Sequence, residues 1–104
     1  MPTTTIAGRT LEVNEEGFLS HPDEWNEELG SELARLIGIE MTDAHWVPIR
    51  FLRSDYAEMG ETATLRRVTT QTGIDTKTLF RLFPKKPAKK MAYVAGLPKP
   101  KGCV

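Results

Sequence analysis

Glycines at positions 38, 60, 73 and 96 punctuate a helical-period apolar pattern that begins near residue 25, and this limits that part of the chain to a succession of short helices. In "HPDEWNEELGSELARLIG", Trp25, Leu29, Leu33, Leu36 and Ile37 recur at steps of three and four with acids on the opposite face. Pro22 suits a first helical position and Gly38 a stop. "TDAHWVPIRFLRSDYAEMG" predicts a second helix capped by Thr42 or Asp43, with His45 as a helix-start residue, Trp46, Ile49, Phe51, Leu52 and Tyr56 inward, and Pro48 early enough to be tolerated. Two shorter helices flank Gly73, Pro84 closes the second, and a last one covers "KPAKKMAYVAG". Ahead of these, "TTIAGRTLEVNEEGFLS" alternates with period two, which predicts a small hairpin turning near "AGRT" and a third strand stub at 17–19.

At 104 residues the chain supports one modest core. We expect a single domain over 1–95, with the hairpin region at 1–20 and helices over 22–95, followed by an arm over 96–104. "LPKPKGCV" cannot be helical and has little apolar anchorage, so the arm is expected to be extended and mobile. No apolar run approaches the roughly 18 residues of a membrane span, and "MPTTTIAGRT" lacks a secretory layout. One cysteine excludes an intramolecular disulfide and suits a reducing compartment, so the expected location is the cytoplasm, with no membrane partner.

Net charge is zero, yet residues 1–49 hold ten acids against Arg9 and Arg35, and residues 50–104 hold twelve bases against four acids. The basic half points to an acidic protein, a nucleic acid or an anionic small molecule, unless the halves neutralise each other in the fold. From Lys85 onward lie Lys85, Lys86, Lys89, Lys90, Lys99 and Lys101 with no acid, and Cys103 sits among them. Nearby cations favour the nucleophilic thiolate, while the terminal carboxylate opposes them, and these six lysines are candidate docking residues that would steer the arm toward acidic surfaces. Eight extended residues after Gly96 reach about 25 Å, and Pro98 and Pro100 stiffen that reach. A swinging thiol of this kind fits a carrier of activated sulfur; the plain alternative is an incidental tail cysteine.

A second pattern, "TLRRVTTQTGIDTKTLFRLF", places Val68, Ile74, Leu79 and Leu82 where a helix-turn-helix makes its internal contacts. Arg66, Arg67, Lys77 and Arg81 would then be candidate nucleic-acid contacts of a DNA-binding regulator, or else these are simply two bundle helices. His21 and His45 have no partners at ligand spacing, and no cofactor motif occurs, so neither a metal nor a cofactor is expected.

"AGLPKPKGCV" preceded by "RLFPKKPAKK", together with "EVNEEGFLSHPDEW" and "MTDAHWVPIRFLRSDYAE", resembles the DsrC/TusE family of sulfur-trafficking proteins, the gamma-subunit family of dissimilatory sulfite reductase. The resemblance implies a mainly α protein, a small orthogonal helical bundle with an N-terminal β-hairpin and a flexible C-terminal arm whose Cys103 carries persulfide sulfur. It implies a carrier rather than a stand-alone catalyst. Its partners would be sulfur-donor relay proteins and an acceptor, either a tRNA-thiolating enzyme or a sulfite reductase-type complex of which the chain could be an accessory subunit. Members serving sulfite reduction or sulfur oxidation have a second cysteine where this chain has Ala92, so the single-cysteine pattern resembles the type that feeds tRNA thiolation. Lys86 replaces a glycine that the family often has, and "TGIDTKT" is shorter than its counterpart.

Overall fold

The computed structural model describes residues 3–6 and 8–100. Strands β1 (Thr3–Ile6) and β2 (Arg9–Glu12) pair antiparallel, Thr3 opposite Glu12 and Ile6 opposite Arg9, with Gly8 at the turn in the left-handed region. The expected third stub is a single antiparallel bridge between Val13 and Leu19. Between them the Asn14 side chain accepts from the Glu16 and Phe18 amides at 2.9 and 3.0 Å, which closes the turn 14–18 locally.

Five helices follow: α1 (Glu27–Leu36), α2 (Asp43–Met59), α3 (Leu65–Thr72), α4 (Thr76–Leu82) and α5 (Pro87–Val94). The first helix does not begin at Pro22. Pro22–Glu24 form a single 3-10 turn, Trp25 is extended, and α1 starts after Asn26, whose side chain accepts from the Leu29 amide at 2.8 Å. Arg9 donates to the Glu24 carbonyl at 2.8 Å and so ties the hairpin to that turn. Leu36, expected on the inward stripe, is 64% exposed. The reason is the way α1 ends: Gly38 turns left-handed, the Gly38 amide donates to Arg35 and the Ile39 amide to Ala34, and Ile39 enters the core.

Thr42 is the N-cap of helix α2, and His45 does act at its start. His45 Nδ1 accepts from the Thr42 amide at 3.1 Å, while Nε2 lies 3.0 Å from the Leu82 carbonyl and the ring meets Phe83 edge-on. Pro48 lies inside the helix, where it has no amide to donate to the carbonyl of Ala44, an exposed residue. Thr64 and Asp75 cap α3 and α4 by accepting from Arg67 and Thr78, and Gly73 joins the two helices.

Two packed groups of side chains form the interior. Leu11, Val13, Leu19, Leu29 and Leu33 join the hairpin to α1; Ile49, Leu52, Val68, Leu79, Phe83 and Met91 join the remaining helices. Trp25 and Tyr93 pack against both groups and make them one body. Among the described residues no helix is long and apolar enough to cross a membrane.

Candidate functional site

The site is built where α5 ends. Met91, Ala92 and Val94 are fully buried, and Gly96 turns left-handed at φ +69°. The Gly96 amide donates to Tyr93 at 3.2 Å and the Leu97 amide to Ala92 at 3.0 Å, the paired bonds of a Schellman closure, and Leu97 inserts into the core. Only glycine fits position 96. A Cβ there would meet Leu19 Cδ1 at 3.0 Å and Trp25 Cγ at 2.8 Å, with Trp25 Cδ1 nearer still.

Side chains from four distant segments then hold residues 94–99 against the body. The Trp25 indole donates to the Val94 carbonyl at 2.8 Å, and the Arg53 guanidinium, 4.6 Å above that indole, donates to the Ala95 carbonyl at 3.1 Å. Thr62 donates to the Pro98 carbonyl at 2.7 Å, and Lys99 pairs with Glu16 at 3.4 Å. Pro100 is buried. Residues 96–100, the first part of the expected arm, thus form a strap along the surface of the bundle. Desolvation alone would raise the Glu16 carboxyl, but Lys99 and Lys89 together hold it below the ordinary carboxylate range.

The lysines divide into two groups. Lys85, Lys86, Lys89 and Lys90 rim a cleft of about 440 Å³ with Phe18, Ile37 and Tyr93 in its walls, whereas Lys99 belongs to the strap. Tyr93 lines the cleft, and burial pushes its phenol above the ordinary value. Lys89 reaches Glu16 at 3.5 Å, so this one carboxylate touches both groups. Cys103 and Lys101 lie outside the described residues. Among the described residues, no group of three His, Cys, Asp or Glu side chains is arranged to hold a metal ion.

The helix-turn-helix candidates separate. Arg67 makes a two-point pair with buried Asp55, at 3.0 and 2.7 Å, while Arg66, Lys77 and Arg81 are exposed. The residues that reading the sequence missed are Glu16, Arg53 and Thr62, and the hydrogen-bonding role of Trp25. Their partners are 83, 42, 36 and 69 residues away in the chain, so no local spacing announces them.

The same architecture occurs in known proteins. The Allochromatium vinosum DsrC solution structure superposes with a TM-score of 0.84 at 36% identity, covering 98% of this chain and 97% of that one. The oxidised gamma-subunit of the dissimilatory sulfite reductase (DsrC) from Archaeoglobus fulgidus gives 0.81 at 34% identity, covering 99% and 100%. A Haemophilus influenzae protein described as a sulfurtransferase TusE homolog is 38% identical over 95% of this chain and 97% of its own. The family model for DsrC-like proteins matches residues 5–104, hairpin, helices, strap and Cys103 together, and the chain therefore belongs to the DsrC/TusE family.

Proposed function

We propose that the chain is a persulfide carrier whose working group is Cys103. The observation that carries this is the family match running through residue 104, which takes in Cys103, the single cysteine of the sequence. The Cys103 thiolate attacks the outer sulfur of a donor persulfide. A new S–S bond forms on Cys103, the donor's S–S bond breaks, and the donor leaves as a thiolate. Attack by an acceptor on the outer sulfur reverses these roles and returns the Cys103 thiolate, so the cycle needs no external oxidant or reductant. The chain holds and hands over sulfur, and the donor and acceptor proteins supply the rest of the chemistry.

Alanine at 92, buried and at the C-terminal end of α5, supports a single-thiol cycle without an internal disulfide. Together with the resemblance to sulfurtransferase TusE proteins, it favours an acceptor in tRNA thiolation over a sulfite reductase-type complex. The strap over residues 96–100 sets how far from the body Cys103 can reach in this reading. With the strap in place Cys103 is three residues past Pro100, a reach of about 10 Å; peeling the strap back to Gly96 extends it to about 25 Å. The DNA-binding reading has less support, because Arg67 is committed to Asp55.

Mass spectrometry after incubation with a persulfide donor tests the assignment. A gain of one sulfur on the wild-type chain that disappears in Cys103→Ser is the expected result. Sulfur retained by that variant would overturn the role of Cys103.

A further inference from the structure

The lysine-rimmed cleft is not used by the thiol chemistry. One side is the turn 14–18 and the other is the start of α5 with the loop before it; Phe18 and Tyr93, 5.9 Å apart and edge to face, join the two sides. Three features give the cleft a direction. Among the described residues Lys85, Lys86 and Lys90 have no carboxylate at ion-pair distance, and only Lys89 is answered, by Glu16. Lys85 is also the only described non-glycine residue in the left-handed region, at φ +76°, so the chain keeps a lysine at this rim in a conformation that side chains disfavour. Lastly, the cleft shares Gly17 and Tyr93 with a second depression of about 450 Å³, where Ile6, Val13 and the 64%-exposed Leu36 lie on one side and Asn14 and Glu15 on the other. The combined groove carries its lysines at one end and its aliphatic side chains, beside the carboxylate of Glu15, at the other, so an acidic segment fits only with its charges at the lysine end.

We propose that this groove docks an extended acidic segment of a partner protein. Its carboxylates would lie against Lys85, Lys86 and Lys90, and a large apolar side chain would lie over Tyr93 toward Leu36. Charge complementarity selects the occupant: three cations without a protein counter-charge favour an anionic partner, and the apolar side chains at the other end favour one that also carries hydrocarbon, which a bare polyanion lacks. This rests on the relay reading for its purpose, because a docked donor or acceptor would be held beside the strap, but its test involves no sulfur.

The probe is a twelve-residue peptide of four glutamates followed by Phe and Leu in a Gly/Ser background, titrated into the full chain at 0.15 M salt and followed by amide NMR shifts and fluorescence anisotropy. The expected shifts cluster at Gly17, Phe18, Ile37 and the first turn of α5. Affinity should fall at least ~10-fold in the Lys86→Glu/Lys90→Glu double variant, and ~5-fold in Leu36→Ser or when the peptide's Phe and Leu become Ser; Lys77→Glu on α4 should leave it unchanged. Undiminished binding in the double variant, equal affinity for the peptide lacking Phe and Leu, or displacement by single-stranded RNA of equal charge with shifts over Arg66 and Lys77 would each overturn the proposal. A failed titration leaves the thiol assignment to its mass measurement, and a failed mass measurement leaves a positive titration standing.

Discussion

Helices α1 and α5 end in the same way and differ in how the chain continues. Each closes with a left-handed glycine, Gly38 or Gly96, and with a following residue, Ile39 or Leu97, that donates five positions back and enters the core. After Gly38 nothing further is required, and a Cβ there would meet no atom within 4 Å. At Gly96 the indole of Trp25 fills the space a Cβ would need, Arg53 holds the Ala95 carbonyl just before it, and Thr62 and Glu16 take hold of Pro98 and Lys99 beyond it. A local motif can stop a helix; fixing the direction of residues 97–100 took partners from distant parts of the sequence.

The strongest challenge to that contrast is to give both glycines a methyl group. Gly38→Ala should cost about 1 kcal/mol, the left-handed penalty alone. Gly96→Ala should cost about 3 kcal/mol or more, because Trp25 must also move. Urea unfolding of both variants measures the difference, and equal losses would mean that the wedge of Trp25 at Gly96 is energetically idle.

A smaller effect is expected on the strap itself. Thr62→Val removes the donor to the Pro98 carbonyl, at about 1 kcal/mol, and should speed exchange of the Leu97 amide more than that of the Ile39 amide at the other helix end. Matched acceleration at both sites would show general loosening rather than release of the strap.

Lys85 adds a left-handed site without glycine to the pair. Lys85→Gly should stabilise the chain by about 0.5 kcal/mol, the relieved strain being partly offset by greater freedom in the unfolded chain. A thermal melt that moves downward would contradict the strain.

The smallest effect is pH-dependent. The folded carboxyl of Glu16 lies below its ordinary 4.5, so the unfolded state takes up its proton first as pH falls. The stabilisation is complete above that value and disappears as pH drops through the lower folded one. Glu16→Gln should flatten this part of the acid limb of the stability curve; an unchanged limb would show that the pairs with Lys89 and Lys99 contribute nothing.

Much of this molecule was legible from spacing. Apolar steps of three and four located the helices, glycines ended all but α4, which Pro84 follows, and "AGLPKPKGCV" carried the family resemblance that the match over residues 5–104 supports. Two local readings failed for identifiable reasons. Pro22 did not begin α1 because Asn26 caps better and Trp25 must turn away to reach Val94. Leu36 did not face inward because the closure at Gly38 sends Ile39 into the core instead. The strap was read as the start of the arm because prolines and lysines in a row look solvated; its anchors Thr62 and Glu16 are 36 and 83 residues away, and no periodicity encodes contacts of that separation.

The carboxylate of Glu16 serves two ammonium groups at once, Lys89 at the mouth of the groove and Lys99 on the strap. An incoming anion that drew Lys89 away would leave Glu16 to Lys99 alone. Reciprocity of coupling then dictates that whatever tightens Lys99 on Glu16 makes Lys89 easier for a visitor to recruit. Occupancy on one side of this acid and slack on the other are two readings of a single balance.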